Sequence, residues 1–207
     1  MDERKVRLLL ELKREGIDDN RVLSAIEAVP REDFVLPAFR DQAYDNIALQ
    51  IEEAQTISQP YVVAFMTQAL ELGPKMKVLE VGTGSGYQAA VLSHLCKRVY
   101  TVERHRELLV EAKKRFERLG LGNVVTRLGD GAKGWPEQAP FERILVTAAA
   151  KSVPEALKNQ LAPGGILVIP VGATVFEQQI LRLRRTESGF VEEQLLQVRF
   201  VPLVEGD

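Results

Sequence analysis

The sequence predicts an α/β fold, with a doubly wound and mostly parallel sheet, a helical extension at its N-terminus and antiparallel strands at its C-terminus. Beyond residue 76, short apolar runs alternate with stretches of helical periodicity, which is typical of βαβ units. The first 75 residues look helical, with irregular connections. A length of 207 residues suits one large domain, so we expect a single domain in which residues 1–75 extend an α/β core over 76–207.

In the N-terminal part, two helices are predicted before residue 30 and a third over 61–72. Apolar residues recur there at helical spacing between charged ones. Capping residues and prolines indicate the boundaries: Gly16 as a C-cap, Asp19 or Asn20 as an N-cap, and Pro30 and Gly73-Pro74 as stops. The stretch over 31–53 has no clear period and is predicted to be a packed, irregular segment.

The rest of the chain alternates strands and helices. Short apolar runs predict parallel strands over 77–82, 98–103, 123–131, 143–149 and 165–172. Helices are predicted between them over 87–95, 106–119 and from Pro154 to a stop at Pro163-Gly164-Gly165. Alternating patterns over 178–185 and 190–200 predict antiparallel strands. Since ligands of such sheets bind beyond the carboxyl ends of the strands, functional residues are expected in the loops that follow them.

Composition excludes several classes of protein. The chain has 27 basic and 29 acidic residues, a net charge of −2, so it lacks the basic field that nucleic acids and acidic lipids require. No apolar run is long enough to span a membrane, and the N-terminus is charged throughout. A single cysteine, Cys96, allows no internal disulfide, and no metal-ligand spacing occurs. We therefore expect a cytoplasmic protein that binds neither nucleic acid nor membrane.

A glycine-rich turn ends the first strand of the core and opens a helix. Glycines at such a turn let the backbone bend sharply and let a ligand approach the main chain. The candidate ligand-binding residues are Glu80, Gly82, Thr83, Gly84, Ser85 and Gly86. Their G-x-G-x-G spacing departs from the G-x-G-x-x-G of dinucleotide sites, because Tyr87 stands at the third glycine position.

The next two strand ends carry polar residues that suit a nucleoside. Glu103 ends the second strand, and its carboxylate could accept hydrogen bonds from both hydroxyls of a ribose. Gly131 follows the third strand and leaves space for a flat base, while Asp130 could accept from an exocyclic amine. Each loop alone could be a plain turn. Together the three loops describe a nucleoside pocket.

This arrangement resembles the Rossmann-like class I S-adenosylmethionine-dependent methyltransferases. Segments outside the glycine loop are similar to the protein-L-isoaspartate O-methyltransferase family over nearly the whole chain: 29–35, 54–60, 129–135, 139–150, 160–172 and 200–203. The segment 54–60, Ala-Gln-Thr-Ile-Ser-Gln-Pro, is the most specific, because general methyltransferases do not carry it. Three departures concern the substrate side: Ala54 in place of glycine, Glu142 in place of aspartate, and the polar stretch 50–53.

The resemblance implies a reaction and a set of roles. A methyl group would pass from S-adenosylmethionine to the free α-carboxyl of an L-isoaspartyl residue in a damaged protein, leaving S-adenosylhomocysteine and starting repair through a succinimide. The enzyme would act as a monomer. Ser58 matches the active-site hydroxyl, with Thr56 beside it, and Thr147 matches the wall near the sulfonium. The residues implied on the substrate side are Ile57, Ala148, Val201, Pro202 and Leu203.

Elementary chemistry agrees with this reaction, but other functions stay open. A carboxylate with a pKa of about 4 is already a nucleophile at neutral pH, so no general base is needed, and His94 and His105 are expected to be structural or surface residues. The alternatives are a methyltransferase for a small molecule or a nucleic acid, a non-catalytic nucleoside-binding module, and an NAD-dependent oxidoreductase. Cofactor binding and substrate trials separate these.

Overall fold

The computed structural model describes residues 2–174, 176–204 and 206. The helices in this part of the chain are α1 Glu3–Arg14, α2 Asn20–Ala28, α3 Pro60–Ala69, α4 Tyr87–Ser93, α5 Arg106–Arg118 and α6 Glu155–Asn159. The strands are β1 Leu49–Gln50, β2 Thr56–Ile57, β3 Lys77–Val81, β4 Arg98–Glu103, β5 Val124–Leu128, β6 Phe141–Val146, β7 Leu161–Val171, β8 Gln178–Thr186 and β9 Gly189–Val198. Short 3₁₀ turns lie at Arg31–Asp33, Pro37–Gln42, Gly131–Lys133 and Pro136–Gln138.

Within the described residues, the main sheet has seven strands in the order β5-β4-β3-β6-β7-β8-β9. Pairing is parallel from β5 to β7 and antiparallel from β7 to β9. The predicted fold class is therefore confirmed. The chain runs outward from β3 to β5 and then returns to the other side of β3 with β6. The carboxyl ends of β3 and β6 consequently meet at the switch point, where α/β proteins bind ligands.

The N-terminal helices share a core with the helix that follows the glycine-rich turn. Leu8 and Leu12 of α1 are buried in one apolar cluster with Tyr87 and Val91 of α4. Phe34 packs edge-on against Tyr87, with 5.5 Å between the ring centroids. The extension thus lies against the same end of the sheet as the predicted ligand loops. This shared core supports the single-domain prediction, which stays a prediction.

Several predicted boundaries are wrong for identifiable reasons. The helix predicted over 87–95 ends at Ser93, whose hydroxyl donates to the Ala90 carbonyl while its own carbonyl accepts from Asn123 at 2.8 Å. The expected stop at 163–165 instead lies inside β7. Phe141 pairs with Leu161 and Arg143 with Ile166, so residues 162–165 form a bulge against β6.

A separate two-stranded sheet, the β1–β2 hairpin, was not predicted from the sequence. Leu49 pairs with Ile57 and Gln50 with Thr56. The turn between them places Glu53 and Ala54 at φ values of 57° and 53°, a left-handed conformation that favours glycine. Ala54, one of the departures from the family pattern, therefore carries a side chain at a position whose backbone conformation favours glycine.

One carboxyl group lies inside the sheet. Glu80 of β3 is fully buried, and its Oε2 accepts a hydrogen bond from the Thr101 hydroxyl of β4, which in turn lies 2.6 Å from the Thr83 hydroxyl. Its Oε1 has no partner among the described residues. Burial, reinforced by the nearby charge of Glu103, raises the pKa of Glu80 to about 8, despite the opposing hydrogen bond from Thr101. The carboxyl is therefore protonated in the folded protein at neutral pH.

We predict that this group makes stability fall with rising pH. Between the ordinary carboxyl pKa of 4.5 and about 8, the unfolded chain loses the Glu80 proton while the folded chain keeps it. The free energy of unfolding should therefore drop by roughly 1 kcal/mol per pH unit in that window. Glu80→Gln cannot ionise and should lack this contribution. Urea unfolding of both proteins from pH 5 to pH 8 measures the difference, and parallel stability curves would contradict the assignment.

Candidate active site

A cleft opens at the carboxyl ends of β3, β4 and β6, with a volume of about 950 Å³ counted to its open mouth. Most of the residues predicted for the site line this cleft: Thr56, Ile57, Ser58, Gly82, Thr83, Gly84, Ser85, Glu103, Gly131, Thr147, Ala148, Val201, Pro202 and Leu203. The predicted residues Glu80, Gly86 and Asp130 are not in its lining.

Gly82 and Thr147 form the floor of the cleft at the switch point. The Thr147 hydroxyl donates to the carbonyl of Gly82 at 2.7 Å and lies 3.0 Å from that of Val81. Gly82 has a φ of +94°, and a Cβ there would come within 2.4 Å of the Thr147 oxygen. The floor therefore requires glycine at this position for both backbone conformation and space.

Glu103 presents a carboxylate to the cleft from the end of β4, although its side chain is buried. Its Oε2 accepts from the Gly84 amide at 2.8 Å, and its Oε1 accepts from the amides of Arg104 and His105 at 2.8 and 2.9 Å. These bonds tie the glycine loop to the end of β4. A carboxylate oxygen has more than one lone pair, so the group can still accept hydrogen bonds from a ligand.

In the third predicted loop, Gly131 lines the cleft and Asp130 does not. A Cβ on Gly131 would meet Val81 at 2.3 Å, so the absence of a side chain keeps this wall of the cleft flat. Asp130 turns away from the cleft. Its carboxylate accepts from the Ala132 amide at 2.9 Å, which caps a 3₁₀ turn, and from the Gly206 amide at 3.0 Å.

Thr56 reaches the cleft from β2, the second strand of the hairpin, and Ser58 reaches it from the position directly after that strand. Neither hydroxyl has a hydrogen-bond partner among the described residues, so both can donate to a ligand. Gln59, not Ser58, occupies the N-cap of α3 and makes no side-chain cap. Ser58 therefore does not cap this helix.

The C-terminal segment closes one side of the cleft. The Ala149 amide donates to the Val201 carbonyl at 2.8 Å, and the Leu203 amide donates to the Ala149 carbonyl at 2.7 Å. These bonds strap Val201, Pro202 and Leu203 to the chain leaving β6. An apolar wall thus lies beside Thr147.

Sequence reasoning missed several lining residues. Tyr87 was noted only as a departure from the dinucleotide pattern, yet it lies in the wall with its ring buried, which raises its pKa. His105, taken as structural, also lines the cleft, and its Nδ1 lies 3.8 Å from Glu53 Oε2. Its place two residues after the strand-end acid Glu103 was the available signal. The others are Gln55, Val63, Val81, Gln88, Val102, Arg104 and Val204.

Other candidate groups lie elsewhere. Cys96 is a buried core residue, and burial raises the pKa of its thiol to about 12. Trp135 packs edge-on against Tyr100 at 5.5 Å between centroids, so it contacts the core and not the cleft. The part of the chain that the structure describes holds no cluster of three or more His, Cys, Asp or Glu arranged for a metal ion. No described helix is long and apolar enough to cross a membrane.

Comparisons with known proteins agree with the arrangement of the cleft. The sequence profile of the family described as protein-L-isoaspartate(D-aspartate) O-methyltransferase (PCMT) matches residues 3–207. A protein-L-isoaspartate O-methyltransferase of Parvibaculum lavamentivorans is 59% identical over 207 residues, covering 99% of this chain and 93% of the relative. One of Rhodospirillum centenum is 60% identical over 202 residues, covering 97% and 91%.

Solved structures give the same result. A protein-L-isoaspartate O-methyltransferase superposes with a TM-score of 0.87 at 33% identity, covering 98% of this chain and 66% of that longer chain. A structure from Plasmodium falciparum, described as a beta-aspartate methyltransferase (PCMT) in complex with S-adenosyl-L-homocysteine, has a TM-score of 0.82 at 25% identity and covers 97% and 98%. By its sequence and its fold, the chain belongs to the protein-L-isoaspartate O-methyltransferase family.

Proposed function

We infer that this protein transfers the methyl group of S-adenosylmethionine to the free α-carboxylate of L-isoaspartyl residues in damaged proteins and peptides. The observation that carries this proposal is the meeting of two sets of residues in one cleft. The glycine loop and Glu103 suit a nucleoside cofactor, and the hydroxyls of Thr56 and Ser58 lie in the same cleft. The ester formed would close to a succinimide, whose hydrolysis returns part of the chain to the normal linkage. S-adenosylhomocysteine is the other product.

The residues at the strand ends fit the cofactor. We propose that Glu103 accepts the ribose hydroxyls, and that the flat wall at Gly131 admits the adenine. Gly82 and Gly84, which have no side chains, allow the amino-acid portion to approach the main chain. When bound, the cofactor supplies an electrophilic methyl group on a sulfonium. Glu80 and Gly86 would support this loop from behind the lining. Asp130 would act through its cap of the 3₁₀ turn, and Thr147 would form the floor beneath the methyl group.

Catalysis by this chain would consist of positioning. The substrate carboxylate is already ionised, so the hydroxyls of Ser58 and Thr56 would orient it by donating hydrogen bonds. The apolar residues Ile57 and Val201 would exclude water. An anion and a cation lose their charges as they react, so a dry site favours the step. Holding the reacting atoms in line supplies the remaining acceleration.

The C-terminal strap is the proposed wall for the substrate peptide. Pro202 and Leu203 lie beside Ala148, and the backbone bonds to Ala149 fix their position. We further propose that the protein works as a monomer in the cytoplasm, as one domain over 1–207, without nucleic acid as a partner. The net charge of −2 supports the last point.

The reaction predicts selective methylation. With labelled S-adenosylmethionine, a peptide containing one isoaspartyl residue should accept methyl groups, while its twin with a normal aspartyl residue should not. The two peptides differ only in which carboxyl is free, so the comparison isolates recognition of the α-carboxylate. Transfer to neither peptide, with the cofactor still bound, would refute the proposed substrate and direct the search to small molecules or to a binding role.

Ser58→Ala should separate turnover from cofactor binding. Removal of the orienting hydroxyl should lower kcat for the isoaspartyl peptide by about tenfold or more, since one donor to the reacting group is lost. The Kd for S-adenosylmethionine, measured by calorimetry, should stay unchanged. Ser93→Ala is the matched control, because it removes a buried hydroxyl that bonds only the Ala90 carbonyl. Turnover at the rate of the unmodified protein would show that Ser58 has no such role.

Glu103→Ala should weaken the cofactor itself. Loss of a carboxylate that accepts two ribose hydroxyls is expected to cost about 2–4 kcal/mol of binding free energy. Glu107→Ala, four residues further on and not in the cleft lining, controls for the change of net charge. Calorimetry on both variants at a temperature where each is folded gives the comparison. An affinity equal to that of the control would remove Glu103 from the cofactor site.

A further inference from the structure

Arg31 is a fully buried cation in the irregular segment that follows α2. Its side chain is 0% exposed, which is rare for arginine. Among the described residues, its Nε and Nη1 have no hydrogen-bond partner, and no carboxylate lies within salt-bridge distance. A buried, unpaired guanidinium destabilises the folded protein. Such an arrangement calls for an explanation other than stability.

The described hydrogen bonds of Arg31 are made by Nη2 and reach the proposed substrate side of the cleft. Nη2 donates to the carbonyl of Ser58 at 2.9 Å and lies 3.4 Å from that of Ile47. Ile47 precedes the β1–β2 hairpin and Ser58 directly follows it. One nitrogen therefore contacts the chain on both sides of the hairpin that carries Thr56 and Ser58 into the cleft.

The same guanidinium also contacts the cofactor side. It lies 4.8 Å from the ring centroid of Tyr87, the first residue of α4 after the glycine loop. Cation–π contacts of this kind are strongest when water is excluded, as it is here. Tyr87 is itself part of the cleft lining. Arg31 thus connects the residue that follows the hairpin to the first residue of α4. Arg31 itself does not line the cleft.

We propose that Arg31 is a positioning residue for methyl transfer: it fixes the backbone of Ser58 against Tyr87 and so sets the place of the Ser58 hydroxyl relative to the cofactor loop. This inference rests on the proposed function. The Ser58 side chain makes no described hydrogen bond, and Ser58 is not a helix cap. The hydrogen bond from Arg31 to the Ser58 carbonyl is therefore the described polar contact that holds Ser58 to a residue outside the β1–β2 hairpin.

The test removes the guanidinium and follows turnover and cofactor affinity separately. Arg31→Met keeps an unbranched buried side chain but loses the donors. It should lower kcat for the isoaspartyl peptide by about tenfold or more, because small displacements of reacting groups are costly, and leave the Kd for S-adenosylmethionine within about twofold. Arg31→Lys, which keeps a donor and the charge, should restore part of the turnover and guards against a failure of the Met variant to fold.

Arg143→Met is the matched structural control. Arg143 is also a buried arginine that donates to backbone carbonyls, those of Leu70, Glu71 and Glu142, but it lies in the first half of β6 and does not line the cleft. Its loss should lower the Tm and leave kcat at a permissive temperature within about twofold, since it contacts nothing in the site. Equal loss of kcat in both arginine variants would identify the Arg31 effect as general destabilisation and overturn the proposal.

A double variant decides whether Arg31 acts through Ser58. If it does, adding Arg31→Met to Ser58→Ala should reduce kcat by less than about threefold, because the positioned hydroxyl is already gone. Fully additive losses, or an Arg31→Met kcat equal to that of the unmodified protein, would refute the proposal while leaving the function intact. Failure of the unmodified protein to methylate the isoaspartyl peptide would refute the function and this inference together.

Discussion

The contact between Gly82 and Thr147 is the constraint on which the site depends. Parallel pairing aligns Val81 with Val146, so the residues that follow them leave the sheet side by side. The Thr147 hydroxyl then bonds the Gly82 carbonyl across the switch point. Any side chain at Gly82 would occupy the position of that oxygen. The floor of the cleft, and with it the spacing of the surrounding loops, follows from this one pair.

The other walls of the cleft are held in place by hydrogen bonds in which at least one partner is a backbone group. Glu103 connects the glycine loop to β4, and the amide and carbonyl of Ala149 connect the C-terminal strap to β6. Such bonds fix positions without using up the side-chain hydroxyls. Ser58 and Thr56 are therefore left with free donors, which is the property that a site acting by orientation requires.

Much of this could be read from the sequence, because parallel strands place their ends together. Gly82, Glu103 and Gly131 were predicted from that rule, and all three line the cleft. The β1–β2 hairpin was missed because strands of two residues are too short to show alternation. Asp130 sits next to the cleft, but its direction is decided by a cap, which sequence spacing does not reveal. The burial of Arg31 could not be predicted from the sequence either. Many charged residues lie near it in the chain, and only tertiary packing determines which of them is buried.

The strap at Val201 to Leu203 gives the site an order of assembly during synthesis. Every loop assigned to the cofactor has been made by residue 147, whereas the strap follows β8 and β9 and can dock only once the chain leaving β6 is in place. The segments that line the nucleoside side of the cleft are therefore synthesised before the segment that closes its substrate side.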